Sequence, residues 1–364
     1  MRIVLTGGGT GGHIYPALAV AKEILRKEPQ AAFLYIGTEK GLEADIVRRA
    51  GIPFQSIEIA GFKRKLSFDN VRTVWKFIRA VGRSKELIRA FQPDVVIGTG
   101  GYVCGPVVYA AAKLGVKTVI HEQNVVPGLA NHFLSRYVNH VAVSFQESFA
   151  HFPKAKTVLT GNPCATQVLH GNARAGQESL GLTADKRLVL ITSGSRGARA
   201  INEATISLLP TIDHYNQHHF VFVTGDVHYE TISNQLKNKA LPANLTVLPY
   251  AHNMADLLAA SDLVISRAGA SILAELTALG VPSILVPSPY VTNNHQEKNA
   301  RGLENAGAAV VITEQQLNGE RLHQAINGIL LDPQRQQQMR ASSAALGMPD
   351  AAERIYRLLA NQSV

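Results

Sequence analysis

The chain has 364 residues, 46% of them apolar, with 36 Lys and Arg against 27 Asp and Glu for a net charge of +9. That length suits two domains of about 100–200 residues each, and no run approaches the ~18–20 apolar residues that a transmembrane helix needs. Two cysteines far apart, Cys104 and Cys164, argue against a disulfide framework or a cysteine metal site and fit a reducing cytoplasmic setting.

No secretory signal is expected ahead of the first strand, Arg2–Thr6. The next residues, Gly7 to His13, read GGGTGGH and lead into a helical stretch beginning near Pro16. A strand, a glycine turn and a helix start aim several backbone N–H groups at one point, which is an anion-accepting arrangement. Further strands are expected at Ala32–Gly37, Phe54–Ile59, Asp94–Gly98, Lys117–His121, His140–Val143 and Thr157–Thr160, with helices at Leu42–Ala50, Asn70–Ala90, Val107–Leu114 and Leu129–Arg136. Continuous apolar strands alternating with helices predict a mostly parallel sheet covered on both faces. Thr160-Gly-Asn-Pro163 breaks the pattern, and Cys164 to Asp185 reads as polar and irregular, so the domain boundary is placed there.

The grammar then restarts. Leu188–Thr192 is a strand, Ser193-Gly-Ser-Arg-Gly197 a second glycine turn, and Ala198–Leu208 a helix. Strands at His219–Thr224, Leu245–Pro249, Leu263–Ser266, Ser283–Val286 and Ala309–Ile312 alternate with helices at Tyr229–Leu236, Met254–Ala259, Ala270–Leu279, Gln296–Asn305 and Gly319–Leu330. A last helix, Ala351–Leu359, follows Asp350, a residue suited to capping it.

Gly7-x-Gly9-x-x-Gly12 satisfies the dinucleotide fingerprint, but the strand that should end in a ribose-binding acid ends in Gly37-Thr38, with Glu39 arriving late. An NAD- or FAD-dependent oxidoreductase is therefore a weak alternative. A phosphate P-loop is excluded, because no Gly-Lys-Ser/Thr follows either glycine turn. Loops outside the carboxyl ends of parallel strands carry the sites of such sheets, which gives His13, Tyr102, Glu122 and Asn124 a reason to share one edge. In the second half, Ser266-Arg-Ala-Gly-Ala-Ser271 opens a helix carrying Glu275 one turn on, a spacing that lets a loop hold phosphate while a carboxylate accepts a ribose diol. Thr292-Asn-Asn-His-Gln-Glu-Lys-Asn299 opens another helix with amides and His295, groups that suit a sugar.

The positive charge concentrates at 61–85. There Arg72, Lys76, Arg79 and Arg83 line one helix face, while Val71, Val74, Trp75, Ile78 and Val81 populate the other. A solvated face, an anionic lipid surface and nucleic acid all remain open from the pattern, although no nucleic-acid motif accompanies it.

In order along the chain, GGGTGGHIYPALA (7–19), GTGGYVCGP (98–106), HEQNVVPG (121–128), TGNP (160–163), SGSRGARAIN (193–202), SRAGASILAE (266–275) and NNHQEKNAR (293–301) resemble the MurG family, bacterial transferases that add N-acetylglucosamine to undecaprenyl-pyrophosphoryl-muramyl-pentapeptide. The resemblance implies a GT-B fold, two Rossmann-like α/β parallel-sheet domains separated by a deep cleft. It divides the chain into an acceptor- and membrane-associating domain at 1–163, a UDP-sugar donor domain at 164–345, and a C-terminal helix within 346–364 that is a candidate to pack back on the first domain. The implied reaction is inverting transfer to the C4 hydroxyl of the muramyl sugar, with His13 the candidate base and Glu122 the alternative.

The resemblance further implies donor contacts at Thr10, Gly11, Gly12, Asn124, Ser195, Arg196, Tyr250, Ala251, Arg267, Ala270, Ser271, Glu275, His295 and Gln296, and acceptor contacts at Gly8, Gly9, Thr10 and Tyr102. No tightly bound cofactor or metal is expected, and any Mg²⁺ effect is left to the free ion. Implied partners are UDP-N-acetylglucosamine, the undecaprenyl-linked muramyl-pentapeptide, anionic phospholipids of the inner leaflet meeting Lys76, Arg79 and Arg83, and other cell-wall synthesis proteins, with no nucleic acid. The expected location is the cytoplasmic face of the cell membrane, held peripherally. Three positions depart from the family pattern: Ala165 where many members have arginine, Arg196 in place of a common glutamine, and His295 in place of another.

Overall fold

Short apolar runs punctuated by glycine turns become parallel strands in the computed structural model, which describes residues 1–59, 68–194, 197–237 and 239–362, the side chains of 68–74 aside. The chain divides into two units, Met1–Cys164 with Asp350–Val364, and Ala165–Pro349.

In the first unit the strands are β1 (Arg2–Thr6), β2 (Ala32–Gly37), β3 (Phe54–Ser56), β4 (Val95–Gly98), β5 (Lys117–Glu122), β6 (His140–Val143) and β7 (Thr157–Leu159). They form one sheet in the order β3-β2-β1-β4-β5-β6-β7, every pair parallel. Helices α1 (Gly11–Lys27), α2 (Leu42–Arg49), α3 (Phe68–Phe91), α4 (Cys104–Lys113) and α5 (Leu129–Leu134) cover it. Side chains alternate between the two faces, as the pleat requires. Val4, Leu34, Ile36 and Val96 join one buried cluster with residues of α4, while Ile3, Leu5, Tyr35 and Ile97 join another with α1.

The second unit follows α6 (Cys164–Val168) at the division. It contains α7 (Ala173–Glu178), β8 (Arg187–Thr192), α8 (Arg199–Ile212), β9 (His218–Val223), α9 (Asp226–Leu236), β10 (Leu245–Leu248), α10 (Met254–Ala259), β11 (Ser261–Ser266), α11 (Ala270–Leu279), β12 (Ser283–Leu285), α12 (His295–Asn305), β13 (Ala309–Val311), α13 (Gly319–Leu330) and α14 (Pro333–Leu346). Its strands run β10-β9-β8-β11-β12-β13, again all parallel.

Three departures from the sequence reading have physical causes. The stretch 164–185, read as irregular, contains the short helices α6 and α7, and Asn172 caps α7 by accepting from Ala175 N–H at 3.2 Å. Helix α14 escaped notice because PQRQQQMRASSAAL shows no apolar stripe; Asp332 caps it and Pro333 opens it. Trp75 and Ile78, read on the apolar side of α3 opposite its cations, are 56% and 63% exposed.

The last helix, α15 (Ala351–Leu359), is part of the first unit. Its Ile355, Leu358 and Leu359 enter the cluster under α1. Lys27 pairs with Glu353 at 3.4 Å, and Tyr356 donates to Glu28 at 3.0 Å. Lys117 at the start of β5 donates to the carbonyls of Leu358 and Leu359, each at 2.8 Å, so a cation closes the negative end of the helix.

Candidate active site

Strand order locates the edges where ligands can reach each sheet. From β1 the chain builds outward through β2 and β3, then returns to β4 on the other flank of β1, so the chain leaves β1 and β4 toward opposite faces of the sheet, to α1 and to α4. Such a switch point at the carboxyl ends of strands is the binding edge of an open α/β sheet. The second sheet has its own between β8 and β11.

At the first switch point, the Gly7–Thr10 loop and the Thr99–Val103 loop are pressed together. Gly8 N–H donates to Gly100 O at 3.2 Å, and the Thr99 hydroxyl donates to His13 O at 2.6 Å. Gly101 has φ +84°, and a Cβ there would run into the carbonyl of Gly8, so only glycine fits. Tyr102, 38% exposed, lays its ring against Gly9. Thr10 is the extended N-cap of α1 with no side-chain cap bond, so the first helical N–H groups, Gly11 and Gly12, have no intrahelical carbonyl to reach. His13 Nδ1 lies 2.9 Å from Gly8 O. A carbonyl only accepts, so Nδ1 carries the proton and the lone pair is on Nε2.

Glu122, the alternative base, is committed elsewhere. Its carboxylate, 2% exposed, accepts from Asn124 N–H at 3.1 Å, Asn124 Nδ2 at 3.3 Å, Gly128 N–H at 3.1 Å and Asn131 Nδ2 at 2.9 Å. Those bonds brace the loop between β5 and α5. Behind it, Gln123 Nε2 donates to Thr99 O at 2.7 Å and lies 3.0 Å from His121 Nδ1. His121 Nε2 therefore holds the proton and donates to Gly161 O at 2.9 Å, and burial pushes this imidazole down to about 4, keeping it neutral.

The acids near this loop also bear on a dinucleotide reading. Glu39 turns away to Arg48 at 2.8 Å. Glu43, which the sequence reading passed over, reaches back from α2 to the glycine loop instead; its signal was a carboxylate in the first turn after Gly41.

The second switch point is rich in polar groups without partners. Among the described residues, the buried hydroxyls of Thr192 and Ser193 at the end of β8 and of Ser271 in the first turn of α11 have no hydrogen-bond partner. Helix α11 begins after Gly269 with no side-chain cap. One turn on, the Glu275 carboxyl has no protein partner among the described residues, and burial pushes it up to about 8. Arg267 is not an open charge: it pairs with Glu314 at 2.6 Å and donates to Val286 O at 3.2 Å. Gln296 accepts from Ser288 N–H at 2.9 Å through its carbonyl, and His295 Nδ1 donates to Thr292 O at 2.8 Å. Together Arg267, Ser288, Gln296 and Glu314 line a cavity of about 680 Å³ with Gly197 and Ala198 at the start of α8. Tyr250 packs edge-on to His252 at 4.9 Å, next to buried Ala251. Ala165 is buried at 1% exposure. Ser195 and Arg196 lie outside the described residues.

The residues expected to act on the donor therefore split. Thr10, Gly11, Gly12 and Asn124 belong to the first unit, and Tyr250, Ala251, Arg267, Ala270, Ser271, Glu275, His295 and Gln296 to the second.

Comparison with known proteins adds to this geometry. Residues 3–143 match the glycosyltransferase family 28 N-terminal domain and residues 188–355 the glycosyltransferase family 28 C-terminal domain. A Bacillus cereus protein, UDP-N-acetylglucosamine–N-acetylmuramyl-(pentapeptide) pyrophosphoryl-undecaprenol N-acetylglucosamine transferase 1, is 55% identical over 359 residues, 99% of this chain and 98% of its own length. A Halalkalibacterium halodurans transferase of that name is 56% identical over 359 residues, 99% of each chain. The crystal structure of Acinetobacter baumannii MurG superposes with a TM-score of 0.78 at 30% identity, covering 99% of each chain. A UDP-GlcNAc 2-epimerase from Neisseria meningitidis, bound to UDP-GlcNAc, shares the fold at a TM-score of 0.68 and 14% identity over all of both chains.

Proposed function

We propose the working of this chain from one premise: it belongs to glycosyltransferase family 28. The protein is a UDP-sugar-dependent glycosyltransferase of peptidoglycan synthesis. It moves N-acetylglucosamine from UDP-N-acetylglucosamine to undecaprenyl-pyrophosphoryl-muramyl-pentapeptide, lipid I, and forms lipid II.

The observation that carries the residue assignments is the set of unpartnered hydroxyls at the second switch point, with Glu275 one turn beyond. The start of α11 and the Ser271 hydroxyl take the donor diphosphate, where the helix terminus stabilises negative charge. Glu275 accepts both ribose hydroxyls. Tyr250 and the Ala251 backbone flank the uracil, and the Gln296 amide and His295 meet the sugar hydroxyls. Arg267, steadied by Glu314, lends charge near the departing phosphate. On the first unit, Thr10 and the glycine loop with Tyr102 hold the acceptor diphosphate, while Gly11, Gly12 and Asn124 contribute to the donor sugar.

In the reaction the acceptor C4 oxygen attacks the anomeric carbon from the face opposite UDP. His13 Nε2 takes the hydroxyl proton as the new C–O bond forms. The bond from that carbon to the diphosphate breaks with its electron pair leaving on UDP, so configuration inverts. Leaving-group charge is met by backbone N–H groups rather than by a resident metal. UDP release measured with and without the muramyl lipid tests this reading: release is expected only when both substrates are present. Turnover of UDP-N-acetylglucosamine alone would instead indicate epimerase-like chemistry, and absence of release with both would leave a UDP-sugar binding protein.

The acceptor is a lipid, so the enzyme works at the inner leaflet. No helix of the described residues is long and apolar enough to cross a membrane. The docking face we assign is α3, where Trp75 and Ile78 stand exposed beside Lys76, Arg79 and Arg83, and the Arg79 guanidinium stacks 4.7 Å from the Trp75 ring. Exposed apolar groups among cations suit the headgroup level of an anionic membrane, each cation contributing about 1 kcal/mol. Replacing Lys76, Arg79 and Arg83 by glutamate should weaken binding to phosphatidylglycerol-containing vesicles by tenfold or more, on the order expected for three reversed charges, with no loss on neutral vesicles. Unchanged sedimentation with the anionic vesicles would reject this face.

A further inference from the structure

Glycines at positions 8, 37 and 41 share one neighbour. A Cβ on Gly8 would stand 2.6 Å from the Glu43 carboxyl carbon, one on Gly37 would stand 2.8 Å from Glu43 Cγ, and one on Gly41 would overlap the carboxylate. Two backbone segments, the glycine loop after β1 and the β2–α2 connection, have closed around a single side chain with no room for another carbon. Glu43 is fully buried. A buried carboxylate without partners is costly, yet Glu43 has three: the Thr38 hydroxyl at 2.5 Å, Thr38 N–H at 3.1 Å and Gly9 N–H at 3.2 Å.

From this geometry we infer that Glu43 is a positioning residue for the acceptor reaction, an internal anion that holds the glycine loop in its anion-receiving shape before substrate arrives. The inference rests on the reading of that loop as the acceptor diphosphate site. Thr38 anchors one carboxylate oxygen, and the other takes the N–H of Gly9, which has φ +84° and no side chain to fix it. With Gly9 N–H turned inward and Gly8 N–H bonded to Gly100 O, the loop presents the exposed Thr10 hydroxyl, beside the Tyr102 ring, to the acceptor diphosphate. The carbonyl of Gly8 is correspondingly aimed at His13 Nδ1. One buried carboxylate thus sets both the phosphate cradle and, through Gly8, the tautomer of the base. A loop already in shape loses no ordering entropy on binding.

Glu43→Gln keeps the size but supplies one acceptor oxygen and an NH₂ group, so it cannot serve both Thr38 and the Gly9 N–H. The expected result is an acceptor KM raised by about tenfold, the scale of one lost charge-assisted hydrogen bond, with the KM for UDP-N-acetylglucosamine within about twofold of wild type. Thr38→Val, which removes only the hydroxyl anchor, should shift the acceptor KM in the same direction by a smaller factor and cover the case in which the glutamine variant does not fold. A purely architectural role would lower the melting temperature and leave both KM values alone, and that outcome in the two variants overturns the inference. Thr10→Ala separates the underlying reading. If it raises the acceptor KM while Glu43→Gln and Thr38→Val do not, the loop assignment stands and the role of Glu43 falls. If none of the three changes acceptor KM, both fall.

Discussion

Alanine in place of His13 is expected to lower kcat by about 10²–10⁴-fold, the range for loss of a positioned general base, with both KM values changed by only a few-fold. The expectation rests on the bond from Nδ1 to Gly8 O, which leaves the basic lone pair on Nε2. An asparagine at 13 separates chemistry from architecture, because its amide can still donate to Gly8 O but has no basic nitrogen. His13→Asn should therefore be as slow as His13→Ala while melting closer to wild type. Near-normal turnover in the asparagine variant would remove His13 as the base. Since the Glu122 carboxylate already accepts four hydrogen bonds from its own loop, its replacement by glutamine should act mainly through disorder of the loop between β5 and α5.

Glu275→Gln should weaken UDP binding by one to two orders of magnitude, the scale of hydrogen bonds to a charged group, and also abolish a pH dependence. Burial raises this carboxyl from 4.5 to about 8. The ribose diol offers two donors, and only the ionised form accepts both without a proton in the way. UDP affinity of the wild type should therefore climb as pH rises toward 8 and then level, whereas the glutamine variant stays flat. Stability without ligand runs the opposite way. A raised pKa means the folded state keeps a proton that the unfolded state releases above its ordinary value. The favourable contribution of the protonated group is complete below pH ~4.5 and is lost as pH rises toward about 8, at up to ~1.4 kcal/mol per pH unit. The glutamine variant lacks this loss, so its melting temperature should gain on wild type between pH 5 and 8. Parallel melting curves against pH, together with unchanged UDP affinity, would show that this carboxyl neither stays buried nor meets the nucleotide.

Much of this site is local in origin. Gly7 to His13 follows an apolar strand and precedes a helical run, and that order suffices to expect a strand, a turn and exposed N–H groups. Ser271 and Glu275 lie one helical turn apart wherever α11 is placed. What resisted reading lacks a local signature. Helix α14 has no apolar stripe to announce it, and its short-range cues are confined to the Asp332 cap and Pro333 at its start. Glu43 looks like an ordinary first-turn acid until folding brings Gly8, Gly37 and Gly41 around it. Glu122 stood beside His13 as a second possible base because both end up near the same sheet edge, and only folding shows that its carboxylate already accepts four hydrogen bonds, from Asn124, Gly128 and Asn131.

Periodicity and glycine punctuation by themselves determined that this chain makes two parallel α/β sheets with anion-accepting turns, because strand and helix periods and free N–H groups are properties of a few consecutive residues. Tertiary structure decided which carboxylates stay unpaired, which nitrogen of His13 carries its proton and which face of α3 meets solvent, because each depends on groups brought together from distant parts of the chain. A carboxyl is a ligand, a brace or a base according to what packs around it, and its neighbours in sequence do not contain that information.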